Sequence, residues 1–268
     1  MNNNLSQTAH AYIVVPVFNE KHRFKINYWE EMVKIKNTTW IFIDDGSTDG
    51  TNSVLTELAS SDNQIFLRNT INVGKGSTIR IGYQYVISEL VSRSSLNSLP
   101  PPLLFGYLDS DGAFSLDDVR ELIEFAQFHL DGKSVLNKTM FNAVWASRVK
   151  LLGHNIERSF GRHVIGRVIH TIIGLFIREI PYDSQCGLKV FRISQTLNQI
   201  FETEFKTRWL FDLEILLRGT QNSSRLKIWE KPLVNWKEVP GGKLNLKSSF
   251  LVVKEIIKLI SYAVRVKQ

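Results

Sequence analysis

Cysteine is almost absent from the sequence, since Cys186 is the only one in 268 residues. A single cysteine excludes an internal disulfide framework and is typical of proteins in a reducing compartment. The N-terminal segment Met1–His10 is polar and lacks the basic and apolar regions of a secretory signal peptide. We therefore expect a cytoplasmic protein.

Long hydrophobic runs are also missing. The longest apolar stretches are Val164–Ile177, interrupted by Arg167 and His170, and Phe250–Val264, interrupted by three charged residues. Both are shorter than the roughly 20 apolar residues that a transmembrane helix requires. We expect a protein that is soluble or that binds peripherally at the cytoplasmic face of a membrane.

Negative charge is scarce in the C-terminal part. Residues 225–268 contain ten Lys and Arg against three Glu, a net charge of +7 that equals the formal charge of the whole chain. Such asymmetry indicates contact with an anionic partner, for which we expect an anionic membrane surface, and a solvated basic face is the alternative. The sequence pI of about 9.4 permits a non-catalytic protein that binds nucleic acid. That interpretation leaves the acidic motifs below unexplained, so no nucleic acid partner is expected.

The first half of the sequence alternates short apolar segments with segments of helical periodicity. Strands separated by helices imply βαβ units and a mostly parallel sheet, in which ligands bind beyond the carboxyl ends of the strands. The length and a hydrophobic content of 43% suit one large α/β domain. The predicted strands are Ala11–Val17, Trp40–Ile43, Gln64–Leu67, Leu103–Leu108 and Asn142–Ala146, and the predicted helices are Tyr28–Lys36, Thr51–Ser60, Ser77–Val91 and Leu116–Leu130.

The second half is predicted to be more helical, with helices at Ile156–Ile177 and Phe211–Arg218 and a strand pair around Leu226–Val234. The last predicted helix, Leu246–Val266, is amphipathic, which suits either an anionic lipid surface or packing against the main domain. We therefore divide the chain into a main domain of residues 1–235 and a basic amphipathic extension of residues 236–268. The apolar stripe of that helix consists of Phe250, Val253, Ile257, Ile260 and Val264.

Polar motifs follow the first two predicted strands. The first strand leads into Val15–Glu20 (VPVFNE), where a proline ends the ladder and frees the next backbone groups. The second leads into Asp44–Asp49 (DDGSTD). Turn formation and helix capping account for the Gly-Ser-Thr-Asp part of this motif. They do not account for the two adjacent acids, which can accept hydrogen bonds from a uracil N–H or from ribose hydroxyls.

Two further motifs have the chemistry of a phosphate site. Lys75 lies between two glycines before a predicted helix, an arrangement that brings backbone N–H groups and a cation close to a phosphate. It is not a Walker A loop, because Asn69 stands where the first glycine of that motif belongs. The fourth predicted strand leads into Asp109-Ser110-Asp111. Two carboxylates at this spacing can hold Mg²⁺ or Mn²⁺ together with substrate phosphates.

In this order, the motifs resemble those of family 2 glycosyltransferases with the GT-A fold. Later segments make the resemblance closest to dolichyl-phosphate β-glucosyltransferases and other polyprenyl-phosphate glycosyltransferases. The resemblance implies a mixed, mostly parallel sheet flanked by helices. It also implies a metal-dependent, inverting transfer of a hexose, expected to be glucose, from a nucleotide sugar, expected to be a UDP-sugar, to a polyprenyl or dolichyl phosphate. The later segments are Ala146–Arg148, Tyr182–Phe191, Arg208–Glu214 and Asn235–Lys243.

The resemblance also implies roles for matching residues. The metal would bind Asp109 and Asp111. Some metal-dependent relatives have a Gln two residues after this pair, but this chain has Ala113, so metal binding would depend on fewer side chains. The nucleotide sugar would contact Pro16, Val17, Glu20, Asp44, Asp45, Lys75, Gly76, Asp109, Ser110 and Asp111, and the acceptor would contact Gln185, Cys186 and Gly187.

The acceptor decides which catalytic residues are needed. A glycan hydroxyl, the alternative acceptor, needs a carboxylate base, for which Asp212 and Glu214 are the candidates. A lipid phosphate is already largely ionised at neutral pH and needs cations instead, for which Arg148 and Arg208 are the candidates. A surface ion pair between Arg208 and Asp212 is the structural alternative. Cys186 is expected to be a buried thiol, because no base accompanies it in the sequence.

Overall fold

The computed structural model describes residues 9–58, 63–93, 103–130, 141–158, 180–219, 225–239 and 254–263, together with positions 167, 170, 171, 174 and 175. Its strands form one seven-stranded sheet and one two-stranded sheet. The seven-stranded sheet contains β1 (His10–Val17), β2 (Thr38–Asp44), β3 (Gln64–Arg68), β4 (Leu103–Leu108), β5 (Ala143–Ser147), β7 (Leu188–Arg192) and β8 (Ile228–Pro232), and the small sheet contains β6 (Asn155–Glu157) and β9 (Asn235–Lys237).

The large sheet has the order β3-β2-β1-β4-β7-β5-β8. Six of its strands run in one direction, and β7 is antiparallel to both of its neighbours. The helices are α1 (Ile26–Met32), α2 (Thr51–Leu58), α3 (Lys75–Arg93), α4 (Leu116–His129), α5 (Gln195–Glu202) and α6 (Phe211–Gly219), followed by α7 at residues 254–263.

Both faces of the large sheet are covered, because successive residues of its central strands enter two separate hydrophobic layers. On β1, Ile13 and Val15 belong to the layer that includes Trp29 of α1, whereas Val14 belongs to the layer that includes Ile79 of α3. A strand buried on both faces consists of nearly continuous β-branched and apolar residues. That property is why the apolar segments of the first half were predicted as strands, and the structure confirms all five.

The second half differs from the predictions at several points. Residues 155–157 form β6 rather than the start of the helix predicted at Ile156–Ile177, most of which lies outside the described residues. The strand pair predicted around Leu226–Val234 is wrong, because β8 pairs with β5 and β9 pairs with β6. Strand β7 and helix α5 were not predicted at all.

The described parts of the predicted extension, residues 236–239 and 254–263, contact the main domain. The predicted domain boundary after residue 235 falls inside β9, and Trp236 is buried in the core. In α7, Leu259 and Ala263 are buried, whereas Ile257 of the predicted apolar stripe is exposed. The rest of the helix predicted at Leu246–Val266 lies outside the described residues. Among the residues that the structure describes, no helix is long and apolar enough to cross a membrane.

Candidate active site

The topology brings the predicted motifs to one edge of the sheet. The carboxyl ends of six parallel strands lie there, and so does the start of β7, since Leu188 pairs with Leu108 at the end of β4. The segments that follow β1, β2, β3, β4 and β5 and the segment that precedes β7 therefore meet. We call this the carboxyl edge.

Lys75, Asp109 and Asp111 form a charged cluster at the carboxyl edge. The Lys75 Nζ lies 2.5 Å from Asp109 Oδ1, and both side chains are about one-third exposed, at 32% and 33%. Burial and the neighbouring Asp109 raise the pKa of Asp111. Burial alone would lower the pKa of Lys75, but Asp109, Asp212 and Asp111 outweigh it and raise that pKa. The cluster thus combines two close carboxylates with a stable ammonium group.

The carboxylate pair fits a divalent cation. No group of three or more His, Cys, Asp or Glu side chains suited to a metal occurs within the described parts of the chain. Two carboxylates nevertheless suit Mg²⁺ or Mn²⁺, which often use one or two protein carboxylates and complete their coordination with substrate phosphates and water. Ser110 between them is buried.

Asp45 holds the loop that leads to Lys75. Its buried carboxylate accepts hydrogen bonds from Val73 N (2.9 Å) and Gly74 N (2.8 Å). It also accepts one bond from the side-chain amide of Asn69 and one from that of Asn72, each 2.9 Å long. Four hydrogen bonds satisfy most of the acceptor capacity of one carboxylate. In this structure Asp45 therefore positions Lys75, and its oxygens do not face an open site.

Asp44 is also buried, with Oδ1 accepting from Ser47 N at 2.9 Å and Oδ2 lying 3.3 Å from Arg68 Nε. The predicted residues of the first motif are mostly enclosed. Val17 is a core residue, and Glu20 holds Arg23 at 2.8 Å. Pro16 is only partly buried.

Gly187 connects the predicted acceptor segment to Asp109. Asp109 N donates a hydrogen bond to Gly187 O at 2.9 Å. A Cβ atom at position 187 would lie 2.1 Å from Asp109 Oδ2, so the approach requires glycine. Cys186 is fully buried, and burial raises the pKa of its thiol to about 12. Nε2 of Gln185 is buried without a hydrogen-bond partner among the described residues, and such an atom suits a polar ligand.

Asp212 belongs to a buried network beneath Lys75. Lys189 of β7 is fully buried and lies in register with Tyr107 of β4 and Trp145 of β5. Its ammonium group donates to Asp212 Oδ1 and, at 2.8 Å, to Ser184 O, and it lies 4.2 Å from the centre of the Trp145 ring. Tyr107 also donates its hydroxyl to Asp212 Oδ1. Oδ1 of Asp212 is therefore occupied by two buried donors.

The structure gives Glu214 and Arg208 partners that the sequence did not suggest. Glu214 is fully buried, accepts from the backbone N–H groups of Lys206 and Thr207, and pairs with Arg218 at 2.7 Å. These contacts argue against a role as base. Arg208 precedes α6 and donates to Asn72 Oδ1, so the ion pair considered between Arg208 and Asp212 does not form.

The Arg208 side chain instead lies across the loop before Lys75. Gly74 has a φ of +92°, and a Cβ atom there would lie 2.8 Å from Arg208 Nε. Gly76 packs equally closely on Phe211, with a distance of 2.8 Å between a Cβ atom at position 76 and the Phe211 Cβ. The two glycines allow the loop, α3 and α6 to approach one another.

Arg148 is held at the end of β5 by Asp183. Its Nε and Nη2 donate to the two carboxylate oxygens at 2.6 and 2.8 Å, and its guanidinium group lies 5.1 Å from the centre of the Trp236 ring. Burial would raise the pKa of Asp183, but Arg148 lowers it to about 2. Arg158 lies near this pair, and burial and Arg148 lower its pKa. The charge of Arg158 also lowers the pKa of Asp183, after the larger effect of Arg148.

Comparison with known proteins identifies the family. Residues 12–177 match the family model described as glycosyl transferase family 2. The chain belongs to glycosyl transferase family 2. Dolichyl-phosphate beta-glucosyltransferase ALG5A of Trichomonas vaginalis is 30% identical over 94% of this chain and 73% of its own length. Dolichyl-phosphate beta-glucosyltransferase of Saccharomyces cerevisiae is 27% identical over 91% of this chain and 72% of its own length.

Solved structures of glycosyltransferases share the fold. Glucosyl-3-phosphoglycerate synthase from Mycobacterium tuberculosis, solved with Mn²⁺, UDP and phosphoglyceric acid, has a TM-score of 0.63 and 12% identity, covering 95% of this chain and 78% of its own. Mannosyltransferase PcManGT from Pyrobaculum calidifontis, solved with GDP-Man and Mn²⁺, has a TM-score of 0.59 and 13% identity, covering 96% and 65%. This transferase therefore has a GT-A-like arrangement of sheet and helices.

The sequence did not reveal three contacts of this glycosyltransferase site. Lys189 and Asp183 lie within Tyr182–Phe191 and Asn72 lies in the loop before Lys75, but no role was predicted for any of the three. The signal that was available is chemical: Lys189 is a charged residue within the apolar segment Leu188–Phe191. A lysine in such a segment must either face water or have a buried partner.

Proposed function

We propose that this glycosyltransferase transfers glucose from UDP-glucose to dolichyl phosphate or a related polyprenyl phosphate. The names of the relatives support the sugar and the acceptor, since both are dolichyl-phosphate beta-glucosyltransferases that match over more than nine-tenths of this chain. The observation that carries the proposal is the meeting of Lys75, Asp109 and Asp111 with Gly187 at the carboxyl edge. A donor bound at Lys75, Asp109 and Asp111 and an acceptor bound near Gly187 would then be neighbours.

Charge is the main contribution of these residues to the proposed reaction. Asp109 and Asp111 would hold Mg²⁺ or Mn²⁺, which when bound stabilises negative charge on the leaving diphosphate. Lys75 supplies a second positive charge on a loop that Asp45 fixes. Because the oxygens of Asp45 already accept four hydrogen bonds, we assign it to positioning. Oδ2 of Asp44 is buried without a hydrogen-bond partner among the described residues, so the nucleotide would be contacted chiefly by residues around Pro16, Asp44 and Lys75.

The hydrogen bonds of Asp212 and Glu214 favour a phosphate acceptor over a hydroxyl acceptor. Glu214 is enclosed by its own hydrogen bonds, and Asp212 is bound by Lys189 and Tyr107. A lipid phosphate is already largely ionised at neutral pH and attacks without a side-chain base. Arg148 and Arg208 would attract its charge. We place the enzyme in the cytoplasm, bound peripherally to the membrane that contains its acceptor.

Transfer assays test this proposal. Purified enzyme is given a panel of UDP- and GDP-sugars with Mg²⁺ or Mn²⁺, with and without a short polyprenyl phosphate. We expect metal-dependent transfer of glucose from UDP-glucose to the lipid and at least a hundredfold loss in Asp111→Asn. Asp117→Asn is the matched control, because that carboxylate is 81% exposed and pairs with Arg120 on the surface.

Two outcomes would contradict the proposal. Transfer to a glycan hydroxyl with no lipid product would identify the alternative acceptor and return Asp212 to consideration as a base. If no nucleotide sugar binds in the presence of Mg²⁺ or Mn²⁺, the proposed donor site is wrong.

A further inference from the structure

Exposed large apolar side chains gather at the carboxyl edge, around the candidate active site. Leu151 and Leu152, in the loop after β5, are 45% and 102% exposed. Trp209, next to Arg208, is 39% exposed, and Val234, between β8 and β9, is 40% exposed. Single exposed apolar residues are ordinary, but a group around a functional site marks an interaction surface.

The loop that carries the two leucines is held at its base. Arg148 at its start is bound by Asp183, and His154 Nδ1 at its end lies 2.7 Å from Leu233 O. His154 N also donates to Leu151 O at 3.1 Å, which closes the turn. Gly153 has a φ of +82°, and a Cβ atom there would have no neighbour within 4 Å. The hydrogen bonds at both ends of the loop thus fix it with the two leucines exposed to solvent. We call residues 150–153 the tip loop.

Basic residues accompany this apolar tip. Lys150 is exposed beside Leu151. Residues 148–158 contain two Arg and one Lys against the single acid Glu157. Helix α7 lies near the same edge, since Glu255 accepts from the backbone N–H groups of residues 208–210, and Lys254, Ile257 and Lys258 are exposed on it. Apolar side chains flanked by Lys and Arg suit the surface of an anionic bilayer.

We propose that the tip loop inserts Leu151 and Leu152 into the surface of a phospholipid bilayer and thereby turns the carboxyl edge toward the membrane. This inference rests on the proposed function. A polyprenyl phosphate keeps its chain in the bilayer and presents only its phosphate at the surface, so Asp109 and Gly187 must face the lipid for transfer to occur. The tip loop follows the strand that ends at Ser147, beside the site, and supplies that orientation.

Vesicle flotation tests the inference. The full-length protein is mixed with vesicles of phosphatidylcholine and phosphatidylserine, and the bound fraction is measured for wild type and for Leu151→Ser/Leu152→Ser. We expect the double variant to partition at least tenfold less onto vesicles. Phe128→Ser is the matched control, because Phe128 is 63% exposed near the end of α4, where that helix has returned to the opposite edge of the sheet, and we expect it to bind like wild type.

Activity separates this inference from the proposed function. Transfer from UDP-glucose to a short, water-soluble polyprenyl phosphate should be unchanged in the double variant, whereas transfer to a long-chain polyprenyl phosphate in vesicles should fall at least tenfold. Equal vesicle binding by wild type and the double variant would overturn the inference, and so would the absence of binding by wild type. If wild type binds vesicles through the tip loop but transfers sugar to neither lipid, the proposed function is wrong and the membrane contact stands.

Discussion

Replacing Lys189 with methionine is expected to destabilise the protein by about 3 to 5 kcal/mol. Removing one partner of a buried ion pair costs this much because the remaining charge stays buried without compensation. Lys189 is fully buried, and only 4% of the Asp212 side chain is exposed. Methionine has nearly the same length, so little of the loss comes from packing. Asp212 would keep the hydroxyl of Tyr107 as a donor.

The direction in which the pKa of Lys189 is shifted agrees with this reasoning. Burial lowers it, and the attraction of Asp212 only partly compensates. The charged lysine therefore depends on its partner. A double variant, Lys189→Met/Asp212→Asn, removes both charges while Tyr107 can still donate to the amide oxygen. We expect it to be destabilised by at least 1 kcal/mol less than the sum of the two single variants, because the two residues act as one unit.

Urea unfolding followed by tryptophan fluorescence measures these differences through the midpoint at a constant m-value. Lys237→Met is the surface control, since Lys237 pairs with Glu157 while their side chains are 77% and 51% exposed. Exposed pairs contribute only about 0 to 1 kcal/mol. A loss below about 1 kcal/mol for Lys189→Met would refute the reasoning, and so would strict additivity in the double variant.

Three further predictions concern residues next to the candidate active site. Asp183→Asn should lower the free energy of unfolding by about 2 kcal/mol at pH 7. Because Arg148 lowers the pKa of Asp183 from 3.8 to about 2, the difference from wild type should disappear as the pH falls from 4 to 2 in urea titrations. Gly187→Ala should lower transfer at least tenfold with an unchanged circular dichroism spectrum, because its Cβ displaces Asp109. Cys186 should resist iodoacetamide at pH 8 until urea unfolds the protein, since burial raises its pKa to about 12; rapid modification of folded enzyme would contradict its placement.

The parts of the fold that the sequence predicted are those where one physical requirement dominates. Strands β1, β2 and β4 are buried on both faces, and burial on both faces requires nearly continuous apolar segments in the sequence. The polar motifs that follow them, such as Asp109–Asp111, were predicted to meet because parallel strands end at one edge. Local pattern and global topology agree at these places.

Strand β7 could not be predicted from a continuous apolar segment. It carries Lys189 in the middle of a buried segment, and a charge in that position argues against a buried strand. The lysine is accommodated only because Asp212, on a separate helix, and Trp145, on a neighbouring strand, surround its ammonium group. Helix α5 was missed for a simpler reason. It has only eight residues, with Leu197, Ile200 and Phe201 buried and Ser194 as its N-cap, and the cap was the signal that could have revealed it.

The carboxylates show why composition at a motif does not settle function. Asp45, Glu214 and Asp111 are all acids in segments that the sequence associated with the site. The first two have their oxygens filled by backbone and side-chain donors of the protein itself. Asp111 accepts from Ala113 N, and its raised pKa reflects burial and the nearby charge of Asp109. Acids that are already satisfied hold the fold, whereas a close pair whose charge is only partly compensated, here by Lys75, attracts a cation. Only the three-dimensional inventory of donors separates the two kinds, because those donors come from residues far apart in the sequence.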